Sequence, residues 1–536
     1  MLNHFLEADL FSQGVIAGFA ILTLLYYKLT VNFKKLVKTG IFFLIWQALT
    51  FGFLLFIYET YNWKIHLLFY VLPGIVLSIP FWIPKKVKAF DVFDVTLPVK
   101  KGKDLIINLA RSVGVFGSSG SGKTESNFAH IIQHMAKHNL GGINYDYKDF
   151  ELSELVYYYY RELSSTPVYT FAPAAIDRSH QINPIHINYL NKTEDVLSIS
   201  EVLITNLGVH FSAEAKIFSD SASGALAGVI WVLRCDFPEH CTLPIATSIL
   251  LLGDMDEIYR FIERNTQARI LAAEIFESRE SERLHGSIKV SLVNFMKRLA
   301  TPTLYFLLSG NDVDLRLNDK EHLGILNLVN HPKYAEVYSP VIATILQSTI
   351  LQMSERGREK SVFLLDEGST IKIPNWQRVL ATLRSYGIGS VWGLQDKVQG
   401  ELLYKLAEVK AILANISTKI VGKANDPDTA DYYERFFPFI KSKTKSISRG
   451  TGFMSNADSR VSESEREHRE RRGDVFYTLN QGEFFVMDDK GKIREVLFAR
   501  PTYERIKAPI QKPISDYELQ ENFNKIHEIA KSLLSN

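Results

Sequence analysis

Three long apolar runs open the chain, at 10–27, 39–58 and 65–84. Each is uncharged and about 18 to 20 residues long, which is the length of a helix that crosses the hydrocarbon core of a bilayer. The first run is the weakest, because Ser12, Gln13 and Gly14 dilute it. The pattern therefore predicts a transmembrane anchor of two or three helices within residues 1–89. A buried helical hairpin of a soluble protein is the alternative interpretation.

The charges around these runs predict their orientation. Glu7 and Asp9 precede the first run, where a signal peptide would carry a basic segment. Lysines cluster after the first and third runs, whereas the connection between the second and third carries only Lys64 as a certain cation; the clustered residues are Lys28, Lys34, Lys35, Lys38, Lys85, Lys86 and Lys88. By the positive-inside rule, we expect everything after Lys85 to lie in the cytoplasm.

From residue 90 onward, shorter apolar runs alternate with helix-like patterns, which predicts an α/β fold with a mostly parallel sheet. The predicted strands lie at 113–116, 141–146, 166–171, 323–330, 361–365, 388–394 and 418–422. Between 195 and 305 the pattern is helix after helix. We therefore expect an α/β domain in two parts, at 90–194 and 306–505. An inserted all-helical domain is expected at 195–305, and a C-terminal helical tail at 506–536.

The interval 442–473 is polar and carries charges of both signs. Such composition predicts a solvated helix or a mobile loop, with a nucleic-acid contact as the less favoured alternative.

Composition narrows the function only slightly. The 536 residues carry a formal net charge of +2, so bulk basicity does not indicate nucleic acid, although a channel can be basic within a nearly neutral chain. Two cysteines, Cys235 and Cys241, are too few for a disulfide framework and fit a reducing compartment. Even with His240 they fall short of the four ligands of a structural zinc site.

The segment "VGVFGSSGSGKTES" contains the pattern G-x-x-x-x-G-K-[ST] between a predicted strand and a predicted helix. Glycines let backbone N–H groups turn inward around phosphates, and the helix begins with its positive end toward them. In this pattern Lys123 would supply a cation to the phosphates of a nucleoside triphosphate, and the Thr124 hydroxyl would bind Mg²⁺. The candidate nucleotide-binding residues are Gly117, Ser118, Ser119, Gly120, Ser121, Gly122, Lys123, Thr124 and Glu125.

A second half of the site is predicted where the apolar run "SVFLL" ends in Asp366 and Glu367. A carboxylate at the end of a buried strand can hold Mg²⁺ through water, which is the role predicted for Asp366. The next one can polarise the water that attacks the γ-phosphate, which makes Glu367 a candidate catalytic residue together with Lys123. Many buried strands end in acids, so the pair indicates a nucleotide site only in combination with the glycine-rich loop.

Two further residues complete the candidate catalytic set. Gln395 follows the strand "IGSVWGL", where a side-chain amide can sense the γ-phosphate. Arg384 lies near the end of the predicted helix 376–386, which Gly387 caps. A cation at a helix C-terminus is favourable without any function. The functional alternative for Arg384 is an arginine finger that is offered to the nucleotide of a neighbouring subunit.

Several segments resemble the coupling-protein ATPases of type IV secretion, the conjugative DNA-transfer family related to FtsK-like translocases. They are the loop segment, "INYDYKDFELSE" with Asp146 and Lys148, "PVYTFAP", "INPI", "LLDEGSTI" and "LATLRSYGIGSVWGLQDKVQ". The last is the most specific, because few other ATPases share its Arg, Gly and Gln spacing. The segments extend over most of the chain.

The resemblance implies a RecA-like P-loop NTPase core with an inserted helical domain and N-terminal transmembrane helices. It also implies ATP and Mg²⁺ as cofactors, a homo-hexamer at the bacterial inner membrane, and transfer of relaxase-bound single-stranded DNA to the type IV secretion channel. Asp366 and Glu367 match the acidic pair, Gln395 the sensor and Arg384 the finger. The chain departs from the family in its third predicted span and in Gly368, where an aromatic residue is common.

Two other functions compete with an ATP-driven coupling motor. One is a receptor for relaxosome or effector proteins in which ATP binding is an assembly switch; Glu367 disfavours it, because a pure switch needs no base. The other is an FtsK-type chromosome translocase. Such proteins carry a winged DNA-reading domain at the C-terminus, and the residues after 506 are too few for one.

Overall fold

The computed structural model describes residues 91–208, 216–395, 397–449 and 459–535. The predicted membrane helices at 10–27, 39–58 and 65–84 lie outside the described residues.

A nine-stranded sheet forms the centre of the described chain, in the order β13-β12-β9-β3-β8-β7-β4-β6-β5. All neighbours from β9 to β5 pair in parallel, whereas β12 and β13 are antiparallel. The predicted α/β fold with a mostly parallel sheet is confirmed. The strands of this sheet are β3 (Val113–Phe116), β4 (Gly141–Asp146), β5 (Val168–Phe171), β6 (Ile325–Val329), β7 (Ser361–Leu365), β8 (Ile388–Leu394), β9 (Thr418–Val421), β12 (Glu483–Met487) and β13 (Ile493–Leu497).

The parallel strands are apolar along their whole length because both faces of the sheet are covered. Every residue of β3, β7 and β8 is buried. Alternate residues belong to different cores: Val362 and Leu364 lie in one, Phe363 and Leu365 in the other. Continuous apolar runs of this kind are the pattern of parallel strands covered on both sides, which is why 113–116, 361–365 and 388–394 were recognisable in the sequence.

Helices cover the two faces and fill the interval between β5 and β6. In chain order they are α1 (Ala129–Lys137), α2 (Ser153–Leu163), α3 (Thr193–Leu207), α4 (Lys216–Asp236), α5 (Leu243–Leu252), α6 (Met255–Glu263), α7 (Thr266–Leu271), α8 (Ala273–Glu277), α9 (Glu282–Met296), α10 (Pro302–Ser309), α11 (Ala335–Met353), α12 (Trp376–Leu383), α13 (Lys397–Ala414), α14 (Pro427–Glu434), α15 (Val475–Thr478) and α16 (Asp516–Ser535). Helices α3 to α10 lie where the sequence predicted successive helices.

Helix α4 is the one helix of the described residues that is long and apolar enough to cross a membrane, judged by length and composition. Within its most apolar window, however, 67% is buried inside the protein. Gly224 and Gly228 let the backbone of α4 approach the carbonyl groups of Leu271 and Ala268. Close packing of this kind is that of a helix at the centre of a helical cluster.

The C-terminal helix α16 packs against this helical cluster. Ile526, Ala530 and Leu533 are buried, and the ring of Phe523 lies 4.9 Å from that of Tyr305 on α10. The sequence predicted a helical tail here, which is confirmed for residues 516–535. The tail is thus tied to the helices between β5 and β6.

Two antiparallel additions were not predicted from the sequence. The strands β1 (Asp94–Leu97) and β2 (Leu105–Asn108) form a separate two-stranded sheet. At the other addition, β12 joins the edge of the central sheet beside β9, and β13 pairs with β12. A single bridge between Val99 and Phe498 connects the chain after β1 with the chain after β13.

The interval predicted as a solvated helix or mobile loop contains β10 (Phe439–Arg449) and β11 (Ser459–Arg469), which form an antiparallel ribbon. The prediction is wrong for these two segments. Their register sets three lysines opposite three glutamates, in the pairs Lys441 with Glu467, Lys443 with Glu465 and Lys445 with Glu463. In antiparallel strands in general, opposite charges at paired positions are favourable. The charges that indicated a solvated segment are therefore compatible with two strands.

Gly368 follows the acidic pair because Trp392 on β8 occupies the space that a side chain would need. A Cβ atom at Gly368 would lie 1.8 Å from Nε1 of Trp392, and both residues are buried. The aromatic residue that the resemblance led us to expect here would collide with that indole.

We expect Gly368→Ala to lower the free energy of unfolding by about 1–3 kcal/mol, because the new methyl group overfills a packed core. In contrast, Gly286→Ala should raise it by up to about 1 kcal/mol, since Gly286 is an exposed helical residue with open space around it. Denaturant unfolding of the two variants measures both effects. Equal stability of the two variants would contradict the packing argument.

Candidate functional site

The glycine-rich loop 117–124 lies at the carboxyl end of β3 and leads through a π-helical turn, Thr124–Phe128, into α1. Neighbouring segments hold its backbone. Ser118 N donates to the carbonyl oxygen of Lys423 at 2.8 Å, and Gly482 N donates to that of Ser121 at 2.9 Å. Gly122 has φ 91°, a left-handed conformation that favours glycine. The backbone of the loop is thus held by segments that are distant in the chain.

The loop and the segments around it contain buried polar atoms that have no protein partner. The buried Oγ atoms of Ser118, Ser121 and Ser126 lack hydrogen bonds, and so does Oδ1 of Asp366. Unpaired buried polar atoms are costly, so such a group fits an anion and a cation that would satisfy them. Ser119 and Gly120, in contrast, are exposed at the tip of the loop. The donor set fits a phosphate chain with a divalent cation.

Lys123 is buried at the base of the loop, with 5% of its surface exposed. Its Nζ donates to the carbonyl oxygen of Gly117. Burial lowers the pKa of this ammonium, while the charges of Glu367 and Asp366 act in the opposite direction. A buried lysine with so few protein acceptors is suited to an anionic ligand.

The acidic pair lies at the carboxyl end of β7. The loop lies at the carboxyl end of β3, so both are at the same end of the parallel strands. Both Asp366 and Glu367 are buried. Burial, and then the neighbouring charge of Glu367, raise the pKa of Asp366 to about 7. A divalent cation beside Asp366 would favour its charged form. The position of Asp366 is compatible with the role predicted for it from the sequence, which is to hold Mg²⁺ through water.

Glu367 has a left-handed backbone, with φ 53°. This conformation costs a non-glycine residue about 1–3 kcal/mol. The turn is held by Thr370, whose N and Oγ1 donate to the carbonyl oxygen of Glu367 at 2.9 and 2.7 Å. The strained turn directs the chain away from the sheet immediately after the acidic pair.

Donors from three different segments meet at one oxygen of Glu367. Gln395 Nε2 donates to Oε1 at 2.9 Å, Lys148 Nζ lies 3.1 Å from it and Lys123 Nζ lies 3.8 Å from it. The structure therefore brings together three of the four candidate catalytic side chains, Lys123, Glu367 and Gln395.

Arg384 lies elsewhere. It begins a 3-10 turn, Arg384–Tyr386, ahead of β8, and its side chain is exposed. Because β8 runs parallel to β3, the start of β8 lies at the amino ends of the parallel strands, whereas the loop 117–124 lies at their carboxyl ends. A strand of seven residues separates them by about 23 Å. Arg384 does not reach the nucleotide site of its own chain. Gly387 has φ 73° and caps the turn, as predicted.

Two residues at the site carried no predicted role. Asp146, at the end of β4, accepts hydrogen bonds from Lys148 N, Leu152 N, Ser153 N and Ser153 Oγ at 2.8–3.0 Å. This network orients the turn from which Lys148 reaches Glu367. The Asp-x-Lys spacing was visible in the sequence, but only the fold shows its distance from the acidic pair.

The segment after β13 also contacts the site. Arg500 Nη1 lies 3.1 Å from Oε2 of Glu125, and the ring of His130 on α1 hydrogen-bonds to the carbonyl oxygen of Ala499 at 2.8 Å. Glu125, which was predicted as a nucleotide-binding residue, forms an ion pair with Arg500 in this structure. No local signal in the sequence pointed to Arg500, because its partner lies on a distant segment.

The fold and the site together define the class of protein. A glycine-rich loop ends one parallel strand, and an acidic pair ends the strand two places away, which is the arrangement of a phosphate-loop NTPase. The family model for type IV secretory system conjugative DNA transfer matches residues 83–471. The chain belongs to this family of coupling proteins. No curated protein matches in a sequence search.

Solved structures agree in fold. The bacterial conjugative coupling protein TrwBdeltaN70, in an unbound monoclinic form, superposes with a TM-score of 0.60 at 13% identity, covering 76% of this chain and 88% of that chain. The plasmid coupling protein TrwB in complex with ADP and Mg²⁺ superposes with a TM-score of 0.56 at 15% identity, covering 75% and 87%. At these identities the likeness establishes the fold.

We expect Asp146→Ala to lower the free energy of unfolding by about 2–4 kcal/mol, because four donors lose a buried acceptor. The matched control is Asp488→Ala: Asp488 also accepts two backbone hydrogen bonds, from Lys490 and Lys492, but at an exposed turn. Its loss should cost about 1 kcal/mol or less. Chemical denaturation measures both, and a loss at Asp146 no larger than at Asp488 would contradict the structural role.

Proposed function

We propose that this chain is an ATP hydrolase that couples relaxase-bound single-stranded DNA to a type IV secretion channel and drives its transfer during conjugation. Family membership supports the coupling role. The proposal goes further in assigning ATP hydrolysis, DNA as the moving substrate and named residues to each step.

The observation that carries the proposal is the contact between a phosphate lysine and a candidate base. Lys123 Nζ lies 3.8 Å from Oε1 of Glu367, which is buried and held in a strained turn. Strained, buried charged residues persist where the surrounding structure holds them, and they are common at functional sites. A protein that used ATP only as an assembly switch would have no need for this carboxylate, so the contact favours hydrolysis.

For binding, the proposal assigns the phosphates of ATP to the loop 117–124. The backbone N–H groups of the loop and the ammonium of Lys123 would hold the β- and γ-phosphates. The Thr124 hydroxyl would bind Mg²⁺, and Asp366 would hold the same ion through water. ATP supplies the phosphoanhydride bond whose cleavage provides the energy.

For hydrolysis, the proposal assigns the base to Glu367. Its carboxylate would accept a proton from the attacking water. Gln395 would keep the carboxylate in position through its 2.9 Å hydrogen bond and report whether the γ-phosphate is present. Arg384, exposed at the amino ends of the parallel strands, would act on the nucleotide of a neighbouring subunit.

For the assembly, we propose a homo-hexamer at the bacterial inner membrane, anchored by helices within residues 1–89. The helices α3 to α10 would form an inserted domain, and the strands before and after them one nucleotide-binding domain. The reactions of one subunit would then depend on Arg384 of the next.

We expect Lys123→Ala to lower ATP hydrolysis by at least about a hundredfold, because the transition state loses a buried cation. Plasmid transfer from donor cells should be lost with it. The matched control is Ser119→Ala, since the Ser119 side chain is exposed at the tip of the same loop and the substitution keeps the backbone N–H. Transfer at the normal frequency from the Lys123→Ala donor would exclude an ATP-driven motor.

The variant Glu367→Gln distinguishes an ATP-driven motor from a protein in which ATP binding is an assembly switch. We expect it to bind ATP and to lose hydrolysis by about 10²- to 10⁴-fold, since the amide cannot accept the proton. If this variant still supports transfer at the normal frequency, ATP acts as an assembly signal and not as fuel.

Arg384 can be tested by mixing subunits. Arg384→Ala and Glu367→Gln should each be inactive alone, whereas mixed assemblies should recover part of the hydrolysis, because some sites then pair an intact base with an intact arginine. The rate as a function of the mixing ratio is the measurement. The absence of rescue at every ratio would contradict action between subunits.

A further inference from the structure

Lys148 is the cation closest to the candidate base. Its Nζ lies 3.1 Å from Oε1 of Glu367, nearer than the 3.8 Å that separates Lys123 from the same oxygen. The two ammonium groups therefore face one carboxylate oxygen from two sides. Lys123 belongs to the loop after β3, whereas Lys148 follows β4, on the far side of β7 in the sheet.

The two lysines differ in exposure. Lys123 is buried beneath the loop, with 5% of its side chain exposed, whereas 30% of the Lys148 side chain is exposed. Lys148 can thus move toward a ligand at the loop without leaving a packed core. Its backbone is fixed, because Lys148 N donates to Oδ1 of Asp146 at 3.0 Å.

The negative charges at the site favour a second cation in addition to Lys123. Asp366 and Glu367 are both buried beside the loop, and Glu151 lies 3.8 Å from Nζ of Lys148. Burial acts to lower the pKa of Lys148, but the charges of Asp366, Glu367 and Glu151 together raise it above its usual value, so the side chain stays charged. A γ-phosphate placed against Glu367 would be repelled unless a cation lay between them.

We propose that Lys148 is a second phosphate lysine, which recognises the γ-phosphate of ATP and in doing so releases Glu367 to act on water. The proposal rests on the proposed function, since it assumes that the loop holds ATP. It separates two tasks: Lys123 holds the phosphate chain of ATP and of ADP, whereas Lys148 contacts only the phosphate that ADP lacks.

The test compares binding of a non-hydrolysable ATP analogue and of ADP, each with Mg²⁺, to the full-length chain. Lys148→Ala should reduce the preference for the analogue over ADP by about ten- to hundredfold, the value of one charge-assisted hydrogen bond. Lys123→Ala should weaken both ligands. The control Lys320→Ala removes an exposed lysine that pairs with Glu359 and should leave both affinities unchanged.

Lys148→Arg is the second variant, because it keeps the charge and should retain most of the preference. If Lys148→Ala weakens both nucleotides equally, or neither, Lys148 does not recognise the γ-phosphate and the inference fails, while the proposed ATPase stands. If Lys123→Ala also leaves both affinities intact, the proposed function itself fails. The two results are therefore distinguishable in one set of measurements.

Discussion

The site depends on one buried carboxylate and on the donors that surround it. Glu367 is buried, and an isolated buried carboxylate would be too costly to retain. Its partners come from the ends of three other strands: Lys123 after β3, Gln395 after β8 and Lys148 after β4. These strands and β7 are consecutive in the sheet, in the order β3-β8-β7-β4. Any change in that order would leave the carboxylate without its compensating donors. The chemistry of the site therefore requires this strand order.

The same order separates what lies at the site from what lies away from it. In a parallel sheet all the carboxyl ends of the strands lie on one side, which is where ligands bind in α/β sheets. Arg384 precedes β8 and therefore lies at the amino ends of the strands, exposed to solvent. A residue in that position has a role in nucleotide chemistry only if another subunit presents its own site to it. In this way the geometry of a single sheet makes assembly a condition for the proposed arginine finger.

Segments far away in the chain complete the support of the loop. Gly482, at the entry to β12, donates to the loop carbonyl of Ser121, and Arg500 contacts Glu125 just after the loop. Both belong to the antiparallel addition at the edge of the sheet. The helical cluster between β5 and β6 is joined in turn by α16 through Phe523 and Tyr305. The end of the chain thus supports both the loop and the helices.

The sequence by itself determined the parallel strands, the loop and the acidic pair, because these depend on local patterns: continuous apolar runs, glycines before a lysine, and carboxylates at a strand end. It failed at 442–449 and 459–469, which pair as an antiparallel ribbon, because strand pairing depends on a partner that local composition does not identify. Only the tertiary structure decided which donors reach Glu367, that Trp392 excludes a side chain at Gly368, and that Arg384 lies outside its own site. Each of these depends on how distant segments are arranged by the strand order, which local pattern does not encode.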